Sequence, residues 1–107
     1  MSNFVKGISL VITTEGDKKN ANKIANLLLK EKLIACVSFR NIESYFWWEG
    51  KIDQTKEVQL IMKCRDENIY MVYQKISEHH TYEIPEIICF PVSVNRDYLK
   101  WASSLSI

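Results

Sequence analysis

The chain has 107 residues, with 14 Lys and Arg against 13 Asp and Glu and a formal net charge of +1. At 47% hydrophobic and 25% charged residues it has the balance of one folded domain, residues 1–107, long enough to bury a core without disulfide or metal staples. That small charge, spread along the chain, gives no electrostatic case for nucleic acid, and no apolar run reaches the roughly 20 residues of a membrane span.

The first predicted element is a strand over residues 6–14, β-branched and apolar, stopped by Glu15-Gly16-Asp17. Asp17 is placed to cap the following helix, in which Ala21, Ile24, Ala25, Leu28 and Leu29 recur on one face. Residues 35–45 read as a long strand, and Trp48-Glu49-Gly50-Lys51 as the turn that reverses it. In the return strand, residues 57–64, the apolar Val58, Leu60, Met62 and Cys64 alternate with Glu57, Gln59, Ile61 and Lys63. That period of two marks a half-buried antiparallel strand. Asp66 is expected to cap a second helix whose apolar face is Ile69, Val72, Tyr73 and Ile76, with the spacing carrying on to His79 and His80. Residues 86–92 form an apolar strand in which Pro91 requires an edge position or a bulge. A last helix over residues 97–104 sets Leu99 and Trp101 against the body.

The order β-α-β-β-α-β plus a C-terminal helix predicts an α+β fold, the ferredoxin-like sandwich with both main helices on one face of an antiparallel sheet. The other face would be open. Yet Leu10-Val11-Ile12 and Ile87-Ile88-Cys89-Phe90 are apolar at consecutive positions, hence on both faces. A wet face of that kind calls for a partner, and a second copy of the chain is the simplest one. Tyr45, Phe46, Trp47 and Trp48 point alternately in an extended segment, so one core cannot enclose all four. Tyr45, Trp47, Trp48 and Trp101 are the interface candidates.

Cys36, Cys64 and Cys89 are far apart, form no Cys-x-x-Cys pair and lie in apolar strand-like runs. They read as small buried hydrophobes in a reducing compartment, and the protein as cytoplasmic.

Several segments together resemble the CutA family of divalent-cation-tolerance proteins. These are Ala35-Cys36-Val37, Trp48-Glu49-Gly50-Lys51-Ile52, Tyr82-Glu83-Ile84-Pro85-Glu86-Ile87 and Tyr98-Leu99-Lys100-Trp101, in the family's order and over nearly the whole chain. The resemblance implies a ferredoxin-like subunit in a tight homotrimer, similar in architecture to the PII signalling proteins. It also implies a non-catalytic role in tolerance to copper or a related divalent ion. Departures are Thr81 where a proline commonly follows the histidine, Phe46 where a tyrosine is usual, and Thr13-Thr14 where some members carry a cysteine linked to copper. A hydroxyl is a poor ligand for such a metal.

The chemistry concentrates in His79-His80-Thr81-Tyr82-Glu83-Ile84-Pro85-Glu86-Ile87. His79 and His80 are the candidate nucleus for Cu(II) or another divalent metal. Adjacent helical residues diverge by about 100°, however, so further ligands would be needed. The alternative is a helix end where imidazole is packed or favoured by the dipole. Lys63, Tyr82, Glu83, Glu86 and Lys51 are the candidates for a polar cleft that takes a small ligand. A Glu86–Lys63 ion pair is the structural alternative. No nucleophile–base pair, phosphate-cradling loop or exposed aromatic RNA-binding pattern is present, so neither an enzyme nor a nucleic-acid-binding role is expected.

Overall fold

A computed structural model describes residues 3–105. Its elements are β1 (Phe4–Glu15), α1 (Lys18–Lys30), β2 (Cys36–Trp48), β3 (Lys51–Arg65), α2 (Ile69–His79), β4 (Ile87–Asn95) and α3 (Arg96–Ser104). The strands form one antiparallel sheet in the order β2-β3-β1-β4. β4 lies at an edge, where Pro91 withholds no ladder hydrogen bond from a central pairing.

Register sorts the side chains into two faces. Val58, Leu60, Met62 and Cys64 of β3 stand beside Val11 of β1 and meet Ala21, Ile24, Ala25 and Leu28 of α1 and Val72 and Ile76 of α2 in the core. The alternation read from β3 therefore names its buried face. Leu29 and Tyr73 are corrections: both are exposed, because the buried stripe of each helix is narrower than the run of apolar residues. Asp17 does cap α1, its Oδ1 accepting from the Asn20 N–H at 2.8 Å. Asp66 does not cap α2. It opens a 3₁₀ turn and accepts from the Ser9 hydroxyl at 2.8 Å, so the helix starts three residues later.

The long strands extend beyond the predicted ends, to Trp48 and from Lys51, because cross-strand pairing continues to the tip. Glu49 and Gly50 turn the chain there, both at positive φ (51° and 77°), as a tight hairpin of this twist requires. This arm gives the subunit principal extents of 49 × 30 × 21 Å. Tyr45, Phe46, Trp47 and Trp48 all lie exposed along it.

α3 packs on the face opposite α1 and α2. Leu99 reaches Gly7, whose φ of +131° breaks the β1–β4 register, and Ile8 and Ala102 are buried beneath. Trp101 is nevertheless exposed. Beyond α3 this face stays open, with Ile88 44% and Phe90 41% exposed.

Candidate functional site

At the end of the sheet where β1 runs into α1, the segment after α2 crosses over and closes a polar cluster. α2 stops at His79, and His80 leaves the helix with extended backbone (φ −70°, ψ 144°). This reversal turns the two histidines to different environments: His79 is exposed, whereas the His80 side chain is 0% exposed.

Both ring nitrogens of His80 are taken. Nε2 lies 2.6 Å from the Thr14 carbonyl, which only accepts, so Nε2 carries the proton. Nδ1 accepts from the Tyr82 N–H at 3.0 Å. The Glu15 carboxylate is also within 3.4 Å of Nδ1, but an Nδ1 that accepts from Tyr82 has no proton to share with it. We read the ring as neutral, its tautomer set by two backbone groups. Glu15, 0% exposed, takes its donors elsewhere: the Gly16 N–H at 3.2 Å, the Thr81 N–H at 3.0 Å and the Thr81 hydroxyl. Thr81, where the resemblance expects proline, thus supplies the buried carboxylate with two donors, both of which proline lacks.

Tyr82 stacks obliquely on His80, centroids 4.9 Å apart, and its phenol donates to Glu57 Oε2 at 2.7 Å. Burial, then the Glu57 carboxylate, hold the phenol well above its usual range, so it stays a donor. Burial alone would push Glu57 up. The hydroxyls of Ser44, Tyr82 and Thr14 outweigh it and hold the carboxyl below the usual carboxylate range. The result is a fixed anion at the margin of an open cleft of about 690 Å³ lined by Gly16, Asn41, Ile42, Glu43, Lys56, Glu57 and Val58. Such a site attracts a cation or a ligand rich in hydrogen-bond donors.

Of the predicted cleft residues, Tyr82 is at the site. Lys51 is at the hairpin tip, paired with Trp48, and Glu83 is exposed. Lys63 stands opposite Leu10 and Cys36 on one side of β1, while Glu86 is exposed and adjoins the Ile87–Thr13 pair on the other side of β1, nearer its C-terminal end. The register therefore separates Glu86 from Lys63, and the ion pair between them does not form. Among the described residues no group of three or more His, Cys, Asp or Glu side chains is placed to hold a metal ion. Glu15, Glu57, Thr14, Ser44 and Lys56 escaped the sequence reading. Glu57 sits at a regularly polar strand position, and nothing local distinguishes a buried carboxylate from a solvated one.

A four-stranded antiparallel sheet with two helices on one face, a third on the other and a protruding aromatic arm defines a mixed α+β protein. Residues 9–104 match the family model for CutA1 divalent ion tolerance protein. The chain is 45% identical over 93 residues to the divalent-cation tolerance protein CutA of Pyrococcus horikoshii, covering 86% of this chain and 91% of that one. Two solved structures align closely. CutA1 of Ehrlichia chaffeensis has a TM-score of 0.88 at 34% identity, over 94% of this chain and 96% of that one. The protein from Archaeoglobus fulgidus, described as periplasmic divalent cation tolerance protein CutA, has a TM-score of 0.89 at 33% identity, over 92% and 97%. The chain belongs to the CutA1 family.

Proposed function

We propose that this chain serves divalent-cation tolerance as a non-catalytic homotrimer of ferredoxin-like subunits in the cytoplasm, with copper the first ion to test. The family's description supports the cation role. The observation that carries the assembly is the uncovered sheet face, where Leu10, Ile12, Ile61, Ile88 and Phe90 lie side by side, together with the exposed aromatic arm. A patch of this kind is costly to leave in water and is characteristic of an interface. The three-fold count comes from the family resemblance. Cytoplasmic placement is supported by three free thiols, although one relative is described as periplasmic.

For a copper ion the subunit offers the exposed His79 imidazole. His80 becomes a ligand only by giving up a backbone partner. A complete donor set therefore needs groups from a second subunit, and no metal is required to complete the core. This occupied state of His80 favours a second reading, a PII-like signalling trimer that takes a small ligand in the cleft beside Glu57, Tyr82 and Lys56.

Calorimetric titration of Cu(II) and Zn(II) into the purified protein, with mass by light scattering, tests both. A trimer whose saturable binding is lost in His79→Ala supports metal on the histidines. Binding that survives His79→Ala and is lost in Glu57→Gln moves it to the cleft. The mass of a single subunit overturns the assembly.

A further inference from the structure

Away from the cleft, under α3, a second cluster lies on the open face. Cys36 and Lys63 are directly paired across β2 and β3. The Lys63 ammonium lies 3.6 Å from Cys36 Sγ, and the Tyr98 hydroxyl 3.4 Å from the same sulfur. All three side chains are half-buried. Among the described residues no carboxylate pairs with Lys63, so its one partner is a thiol. That is an unusual arrangement, because a partly buried ammonium ordinarily finds an anion. Burial and the neighbouring sulfur hold the Tyr98 phenol above its usual range, which keeps it a donor. Both donors stabilise negative charge on Sγ, whether in a thiolate or in the transition state of its attack on an electrophile.

The other two thiols contrast with it. Cys64 is fully buried and pushed up to about 12, by burial first, so it is inert. Cys89 is exposed.

We propose that Cys36 and Lys63 form a hydroperoxide-responsive pair that closes into a sulfur–nitrogen cross-link between β2 and β3. The sulfur attacks the peroxide oxygen and the O–O bond breaks. Lys63 gives a proton to the departing oxygen, which leaves as water, and Cys36 becomes a sulfenic acid. The Lys63 amine, now bearing a lone pair, attacks the sulfur, and the S–O bond breaks with loss of a second water. Overall one thiol, one amine and one hydrogen peroxide give one sulfenamide and two waters. Sulfur is oxidised and peroxide reduced. The short, directly opposed geometry makes the amine a faster trap than a second thiol from another molecule.

The test is intact-mass and peptide mass spectrometry of the full chain after hydrogen peroxide, in the Cys89→Ser background. The expected product is lighter than the starting chain by two hydrogens, with the peptides of Cys36 and Lys63 joined and released by a thiol reductant. Lys63→Arg keeps the charge but not the compact amine. There the product is expected to gain one oxygen at Cys36 and to be trapped by a sulfenic-acid probe. A Cys36 that remains fully alkylatable after peroxide overturns the proposal. So does oxygen gain at Cys36 in the Lys63-bearing chain without the joined peptides. Both results are read on the folded Lys63-bearing protein, so failure of Lys63→Arg to fold does not blunt them.

Discussion

His80 holds two backbone groups at once, the Thr14 carbonyl and the Tyr82 N–H. His80→Ala leaves both unpaired in a closed space and should cost about 2–4 kcal/mol in chemical denaturation. His79→Ala, at an exposed helix end, should stay within about 0.5 kcal/mol. Glu57 carries a pH signature. Its folded pKa lies below the unfolded value, so its contribution is fully present above about pH 4.3 and is lost as the pH falls through the folded pKa. The stability gap between the natural chain and Glu57→Gln should therefore be level from about pH 7 to about pH 5 and shrink below about pH 4. A gap that widens toward acid would contradict the direction derived from its donors. Tyr82→Phe removes one of those donors and should cost about 1 kcal/mol while raising the Glu57 midpoint, measurable by carbon-detected NMR titration.

At the level of elements, β1 is the most constrained. One end is broken at Gly7 to admit Leu99 of α3, and a Cβ there would sit 3.0 Å from Leu99 Cδ1. With φ at +131° as well, Gly7→Ala combines strain with a clash and should cost about 1–3 kcal/mol, with α3 amides losing hydrogen-exchange protection first. The other end of β1 supplies Thr14 and Glu15 to the polar cluster. One strand thus links the docking of α3 to the site at the opposite end of the sheet. The step from α2 to β4 acts as a clasp: Thr81 and His80 tie it to β1, and the Thr13 hydroxyl donates to the Glu86 carbonyl at 2.6 Å.

For the whole molecule, the elongated shape and uncovered face belong together, because an arm whose aromatic side chains stay exposed on its own chain is suited to pack on a neighbour. Phe90→Lys places a charge on the open face, where burial of an unpaired ammonium against a second copy is strongly unfavourable. On the proposed trimer, light scattering should show the mass of Phe90→Lys fall to that of a single chain, with the fold retained by circular dichroism. Trp47→Ser, at the 72% exposed arm position, should weaken assembly without changing the subunit core.

The helices, the hairpin and the buried face of β3 were legible in the sequence because each rests on a local period or a turn residue: Val58-Leu60-Met62-Cys64, Glu49-Gly50, Asp17 at its helix start. So was the excess of apolar surface, since consecutive apolar residues on a strand must face both ways. The site was only partly legible. Tyr82 was found, but its partner Glu57 and the buried Glu15 were not, and His80 stood open between a metal ligand and a packed, hydrogen-bonded imidazole. Register and a chain reversal decide those roles. Sequence distance says nothing about which backbone carbonyl meets an imidazole 66 residues away, and only closure of the sheet end turns a carboxylate from a solvated group into a buried acceptor.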